Sequence, residues 1–239
     1  MPTTRVIDLS HHNTVPSSLQ PAKDAGVWGI IHKLTEGTGF TDDKVQARYF
    51  LAGQAGMLWG VYHFIRPGKI EQQAEYFVSQ ANALEVADDD TLYVLDYEDT
   101  GVSLDDALTF MRKVEDLTGH IPVLYSGHVL KEALNGKPNA EISDYRLWLA
   151  QYSSAPTMPP GFDDYWLWQF SESGSVPGIS PPVDVNAYDG DEAALRDEWS
   201  GSGAPAPTPE PEELVVTITV TVAAPPNVTV VVNTEEATS

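Results

Sequence analysis

The sequence predicts an α/β protein: an irregular (β/α) barrel of about eight strands, with helices missing in the last third and a short C-terminal β tail. Three observations carry this. Residues 27–34, 57–64 and 91–98 are nearly continuous apolar runs, the pattern of strands buried on both faces. Helical segments separate them. Eight strand-like runs fit within about 200 residues, the size of one closed or nearly closed barrel. An open doubly wound sheet is the alternative, but its Gly-rich phosphate loop is missing, since Ser10-His-His-Asn-Thr-Val15 holds no glycine.

The elements follow in order. Arg5-Val-Ile-Asp-Leu9 is a short strand that ends in the polar loop Ser10-His-His-Asn13. Helices are predicted at about 17–25, 42–55 and 70–84, with Gly26 and Gly56 placed for left-handed caps. A fourth helix at 104–118 has Ser103 as N-cap, Asp106 three residues on and Gly119 at its end. Leu104, Leu108, Met111, Val114 and Leu117 are expected on its buried face. Residues 121–125 give a fifth strand and 128–134 a short helix. Strands at 145–150, 165–170 and 183–188 are joined by Pro/Gly-rich loops instead of full helices, and a helix near 190–198 closes the domain.

The catalytic barrel is thus assigned to residues 1–200. Residues 201–213 hold four prolines and three acids and read as a semi-rigid linker. Residues 214–239 read as a hairpin-like β tail, since valines and isoleucine alternate with threonine from Val216 to Val222. Two such strands need a partner: the barrel, another copy of the chain, or a surface outside it.

Composition removes several function classes. With no cysteine among 239 residues, disulfide scaffolds, thiolate metal sites and cysteine nucleophiles are out. The 13 Lys+Arg against 35 Asp+Glu leave a formal charge of −22, a field that repels nucleic acid and anionic membranes. The apolar run at 214–222 is too short to span a bilayer. Residues 1–10 lack a signal-peptide core, which predicts a soluble protein held in the host cytoplasm until release to the wall, or extracellular if the sequence is a mature secreted form.

Chemistry concentrates at Asp96 and Glu98. Residues i and i+2 of a strand share a side, so both carboxyls stand together at the C-terminal end of a buried strand, where barrels build active sites. Such a pair calls for a metal, an Arg partner or catalysis. No Lys or Arg lies between Lys69 and Arg112, and neither a calcium-loop spacing nor His-Glu-x-x-His occurs, so no metal or cofactor is expected. His11 and His12 are expected to point apart, and His32 and His63 to be hydrogen-bonded core or pocket-wall residues. In a closed barrel Asp8, on the first strand, and Asp184, on the last, join the pair in one acidic pit. Crowded carboxyls cannot all ionise cheaply, so at least one keeps its proton near neutral pH, as glycoside cleavage requires. Tyr62, Tyr125, Tyr152 and Trp168, near strand C-termini, are expected to face the pit and stack on sugar rings.

Read together, Val6-Ile-Asp-Leu-Ser10, His32-Lys-Leu-Thr-Glu-Gly-Thr-Gly-Phe40, Gly60-Val-Tyr-His-Phe64, Val94-Leu-Asp-Tyr-Glu98, Leu147-Trp-Leu-Ala-Gln-Tyr152, Leu167-Trp-Gln-Phe170 and Val183-Asp-Val-Asn186 resemble the family 25 glycoside hydrolases, lysozymes that act as N-acetylmuramidases. The resemblance runs from Val6 to about Gly190 and is specific in its order and spacing. It implies an irregular α/β barrel and bacterial peptidoglycan as the partner. Glu98 would be the general acid; Asp96 would stabilise the transition state or orient the substrate's acetamido group. Asp8 and Asp184 would complete the carboxylate set, Tyr62 would sit near the reacting ring, and Lys33 and Glu36 would contact substrate or brace the wall as an ion pair. Net retention is the implied outcome, a phage endolysin the implied setting, and self-association or wall retention the role implied for the tail. The rivals are a chitinase-like β-1,4-glycosidase and a non-catalytic wall-binding or virion protein. Leu92, Val94 and Leu95 stand where the first would carry a longer acidic run, and the second would be expected to lose a carboxylate that is kept here.

Overall fold

The computed structural model describes residues 2–201. Apart from Gly201, the expected linker and β tail lie outside the described residues.

Strand β1 (Val6–Leu9) is followed by α1 (Gln20–Asp24), β2 (Gly29–Glu36), β3 (Phe40–Thr41), α2 (Val45–Gln54) and β4 (Leu58–Phe64). Then come α3 (Ile70–Ala83), β5 (Leu92–Asp96), α4 (Leu104–Thr118), β6 (Val123–Ser126), α5 (His128–Leu134) and α6 (Ala140–Ser143). The last part contains β7 (Leu147–Ala150), β8 (Leu167–Gly174), β9 (Val183–Ala187) and α7 (Glu192–Trp199). Every predicted strand is present. The sequence reading missed β3, a two-residue ribbon antiparallel to β2, and the single turn α6, which Asn139 caps through the Ile142 N–H.

The sheet closes into a barrel of eight strands. From β1 through β2, β4, β5, β6 and β7 to β8 all neighbours are parallel. Strand β9 then runs antiparallel to both β8 and β1 and seals the gap. No helix separates β8 from β9, so the chain can return without a crossover.

Strand alternation sorts side chains between two cores. Val6, Ile31, Leu58, Leu92, Val94, Val123, Trp148 and Leu167 fill the barrel interior. Ile7, Ile30, Val61, Tyr93, Leu95, Leu124 and Leu149, at the alternate positions, pack in the outer core with the helices. On α4, Ser103 and Asp106 form the reciprocal capping box and Gly119 ends the helix at φ 75°. Its buried face contains Ala107, Leu108, Phe110, Met111 and Val114, whereas Leu117 is 44% exposed. Steps of three residues fall short of a 3.6-residue turn, so the row from Met111 through Val114 drifts toward solvent by Leu117.

Helix α7 plugs the N-terminal end of the barrel. Leu195 and Trp199 join the interior cluster, and the indole N–H of Trp199 donates to the Trp59 carbonyl at 2.6 Å. Gly29 makes room for that ring, since a Cβ there would lie 2.8 Å from it. Truncating Trp199 to Ala opens a cavity far along the strands from their C-terminal rim. A loss of about 3–5 kcal/mol is expected, measured by urea denaturation.

Candidate active site

At the C-terminal rim the same alternation that fills the barrel delivers acids. In β5, Leu92 and Val94 face inward, so Asp96 does too, and Glu98 follows on the same side one step past the strand. In β1, Asp8 lies between Ile7 and Leu9 of the outer core. In β9, Val183 and Val185 belong to the outer core, which turns Asp184 and Asn186 inward. Because β9 is reversed, the start of that strand lies at the rim, and Asp184 pairs in register with Asp8. The result is a cleft of about 400 Å³ lined by Asp8, Tyr62, Asp96, Glu98, Tyr125, His128, Trp148, Tyr152, Gln169, Glu172 and Asp184.

One hydrogen-bond chain fixes the floor. The Trp148 indole N–H, a donor only, points at Asn186 Oδ1 (2.7 Å). Asn186 Nδ2 must then donate, to the Val6 carbonyl (3.1 Å) and to Asp8 Oδ2 (2.9 Å). Gln169 Oε1 accepts from the phenols of Tyr125 (2.8 Å) and Tyr152 (2.9 Å), and its Nε2 donates to Asp8 Oδ2 (3.0 Å). Asp8 is therefore wired as an acceptor, and Asp184 shares a further hydrogen bond with it.

The four expected acids and Tyr62, Tyr125 and Tyr152 are thus brought together; the other three expected site residues are not. Trp168 lies between inward Leu167 and Gln169, so the pleat turns it away from the cleft. It is 4% exposed and donates to the Gln151 carbonyl at 2.8 Å. Lys33 and Glu36 form an ion pair of 2.5 Å, which continues through Arg66 to Asp99. This chain braces the rim without lining the cleft. His11 and His12, expected to diverge, have ring centroids 3.9 Å apart, because Asp42 draws the His11 backbone and Nδ1 inward. His63 is satisfied on both nitrogens by Thr35 and Gln73, while His32 bonds the Lys33 carbonyl and leaves Nε2 unpaired. Among the described residues, no group of three or more metal-binding side chains is arranged to hold an ion. His128, Trp148, Gln169 and Glu172 line the cleft without having been assigned to it. Trp148 and Gln169 stood within the quoted motifs, but Asp8's need for donors shows only in three dimensions.

Lost hydration is the first cause of every carboxyl shift in the cleft. It pushes Asp8 up to about 6 against the pull of Asn186 and Gln169, and Asp184 up to about 8, with the Asp8 charge adding to the rise. Asp96 is held well above the usual carboxylate range by burial and then by Glu98, and its Oδ1 has no hydrogen-bond partner. Glu98 is also raised by burial, with His128 pulling it down and Asp184 pushing it up. Crowding, which the sequence reading makes the source of the retained proton, ranks below desolvation. Between about pH 4 and pH 8 the folded chain binds protons at Asp8 and Asp184 that the unfolded chain has released, so these groups destabilise the fold increasingly as pH rises through that window. Asp184→Asn removes the larger part of this linkage. Its melting temperature should match that of the parent near pH 4 and exceed it increasingly toward pH 8; thermal melts across that range check this, and a constant difference would contradict it.

The family model described as Glycosyl hydrolases family 25 matches residues 7–179. Lysozyme M1 of Streptomyces globisporus is 33% identical over 204 residues, covering 79% of this chain and 69% of the relative. The autolytic lysozyme of Clostridium acetobutylicum is 30% identical over 168 residues, covering 70% of this chain and half of that protein. Among solved structures, a bacterial lysozyme from Streptomyces coelicolor superposes with a TM-score of 0.71 at 28% identity, covering 82% of this chain and 96% of that one. A family 25 lysozyme from Aspergillus fumigatus gives 0.69 at 27%, covering 83% and 99%. With the family model spanning well over half of the sequence and the barrel shared from end to end, the chain belongs to glycosyl hydrolases family 25.

Proposed function

We propose that this domain is a muramidase that hydrolyses the β-1,4 bond from N-acetylmuramic acid to N-acetylglucosamine in bacterial peptidoglycan. The observation that carries the reading is the pairing of buried Asp96 with solvent-accessible Glu98 in one cleft, with Asp96 Oδ1 buried and unpartnered. Of the pair, the more deeply buried Asp96 holds its proton more firmly, while His128 favours ionised Glu98. A sugar acetamido N–H donating to Asp96 Oδ1 would stabilise the Asp96 carboxylate and move the proton preference toward Glu98. Glu98 then gives its proton to the glycosidic oxygen as the C1–O bond breaks. The positive charge at C1 is met by Asp96 or by the acetamido oxygen that Asp96 aligns, and water completes hydrolysis with Glu98 acting as base. Asp8, ionised and held by Gln169 and Asn186, supports Asp184 and the ring hydroxyls, and Tyr62 flanks the reacting sugar.

Relatives named for lysozyme activity support this reading, as does the N,O-diacetylmuramidase of a Chalaropsis species, 31% identical over 187 residues and covering 68% of this chain and 88% of that one. The matches include bacterial and fungal enzymes and the CTP1L endolysin. What they have in common is the catalytic domain, so the muramidase reading does not depend on whether a phage supplies it. A chitinase-like reading is less favoured, because only Asp96 and Glu98 of β5 and its extension reach the cleft. A non-catalytic protein would have no use for a proton-holding pair.

Mass spectrometry of digested peptidoglycan should show muramic acid at the new reducing ends; glucosamine there would overturn the reading. Glu98→Gln keeps the shape but cannot donate a proton, and should slow wall lysis by about a hundredfold to ten-thousandfold, read as turbidity clearing by folded protein. Removing the imidazole whose electrostatic influence lowers Glu98, as in His128→Gln, should raise the Glu98 pKa, moving the alkaline limb of the kcat/KM profile to higher pH. A downward movement would contradict the charge assignment.

A further inference from the structure

Beside the catalytic cleft lies a second hollow, of about 480 Å³, lined by Glu98, His128, Lys131, Gln151, Tyr152 and Thr157 among others. It shares Glu98, His128 and Tyr152 with the first, so a ligand can occupy both at once. Their charges are opposed. The first holds five carboxyl groups, at Asp8, Asp96, Glu98, Glu172 and Asp184. The second holds only Glu98 as an acid, against His128 and Lys131 one turn apart on α5.

Among the described residues Lys131 is not spent on an ion pair: its Nζ donates to Gln151 Oε1 at 2.5 Å, and burial, with no carboxylate opposing it, lowers its pKa. The Thr157 backbone N–H (3.2 Å) also donates to Gln151 Oε1, while Gln151 Nε2 is tied to Ser153 and Ala155. Lys131 is thus positioned by a neutral amide with its charge uncompensated, an arrangement that favours an incoming anion. A muramic acid residue carries, through its lactyl ether, a peptide with free carboxylates, which the acid-lined cleft repels and a neutral chitin chain lacks.

We infer that the hollow walled by His128, Lys131 and Gln151 is a subsite for an anionic stem peptide, seated while its sugar ring lies between Asp96 and Glu98. The inference rests on the muramidase reading. It makes Lys131 a specificity residue that acts through binding.

The test compares kcat/KM on glycan chains bearing stems with the same chains stripped of stems by an amidase. In Lys131→Gln the preference for stem-bearing chains should fall about threefold to tenfold, the range for one partly exposed charge-assisted contact. The loss should appear in KM, with kcat on stem-bearing chains retained, and Lys131→Arg should restore it. An equal loss on both substrates would reduce Lys131 to a prop for Gln151 and overturn the proposal, as would an unchanged preference. Wild-type protein that cuts neither glycan would sink the muramidase reading itself, an outcome distinct from either of these.

Discussion

Crowding four carboxyl groups at the mouth of a barrel, with Asp8 and Asp96 buried, costs free energy unless they keep protons or gain donors, and this chain does both. Asp8 gains donors from Asn186 and Gln169. Asp184 and Asp96 are pushed toward the protonated form, chiefly by burial. Because each solution needs particular neighbours, the carboxyls dictate residues beyond themselves. Trp148 fixes the orientation of Asn186, and Tyr125 and Tyr152 fix that of Gln169. Much of what looks like aromatic lining is there to hold a carboxylate in one state.

The barrel meets this demand through two geometric facts. Alternation along each strand makes the inward row apolar at depth and acidic at the rim, as in Leu92, Val94 and Asp96. The reversal of β9 supplies the other. A parallel final strand would carry Asp184 toward the opposite end, where α7 plugs the interior with Leu195 and Trp199. One antiparallel strand thus separates a packed end that stabilises from an open end that reacts.

These facts explain which parts of the molecule were legible in the sequence. The eight barrel strands announced themselves as apolar runs, and the capping box of α4 could be read from Ser103, Asp106 and Gly119 because both are local signals. Asp96 and Glu98 were legible since i, i+2 parity is local too. Trp168 was misplaced because closeness to a strand end was given more weight than parity; Leu167 and Gln169 already claimed the inward side. Of the two roles expected for Lys33 and Glu36 the ion pair is present, but its extension through Arg66 to Asp99 joins the end of β2 to the segments after β4 and β5, which no spacing rule connects. The direction of β9 left no local trace. Adjacency of the first and last strands was enough to suggest Asp184 for the pit, but only the reversal of β9 brings the start of that strand to the rim.

The acidity of the whole chain acquires a different meaning at the site. A formal −22 spread over the protein repels an anionic polymer at long range, but screening confines such fields to about 8–10 Å in physiological salt. Within that distance the sign of the local wall decides. Most of the cleft's carboxyls are disposed toward neutrality by lost hydration, so the floor is less negative than its composition suggests. Lys131, which has no ion-pair partner among the described residues, stands in the adjoining hollow. An uncharged sugar backbone and an anionic side branch would therefore be drawn to different parts of one continuous surface. The same desolvation that holds protons for cleavage lowers the barrier to bringing a negatively charged polymer against an acidic enzyme.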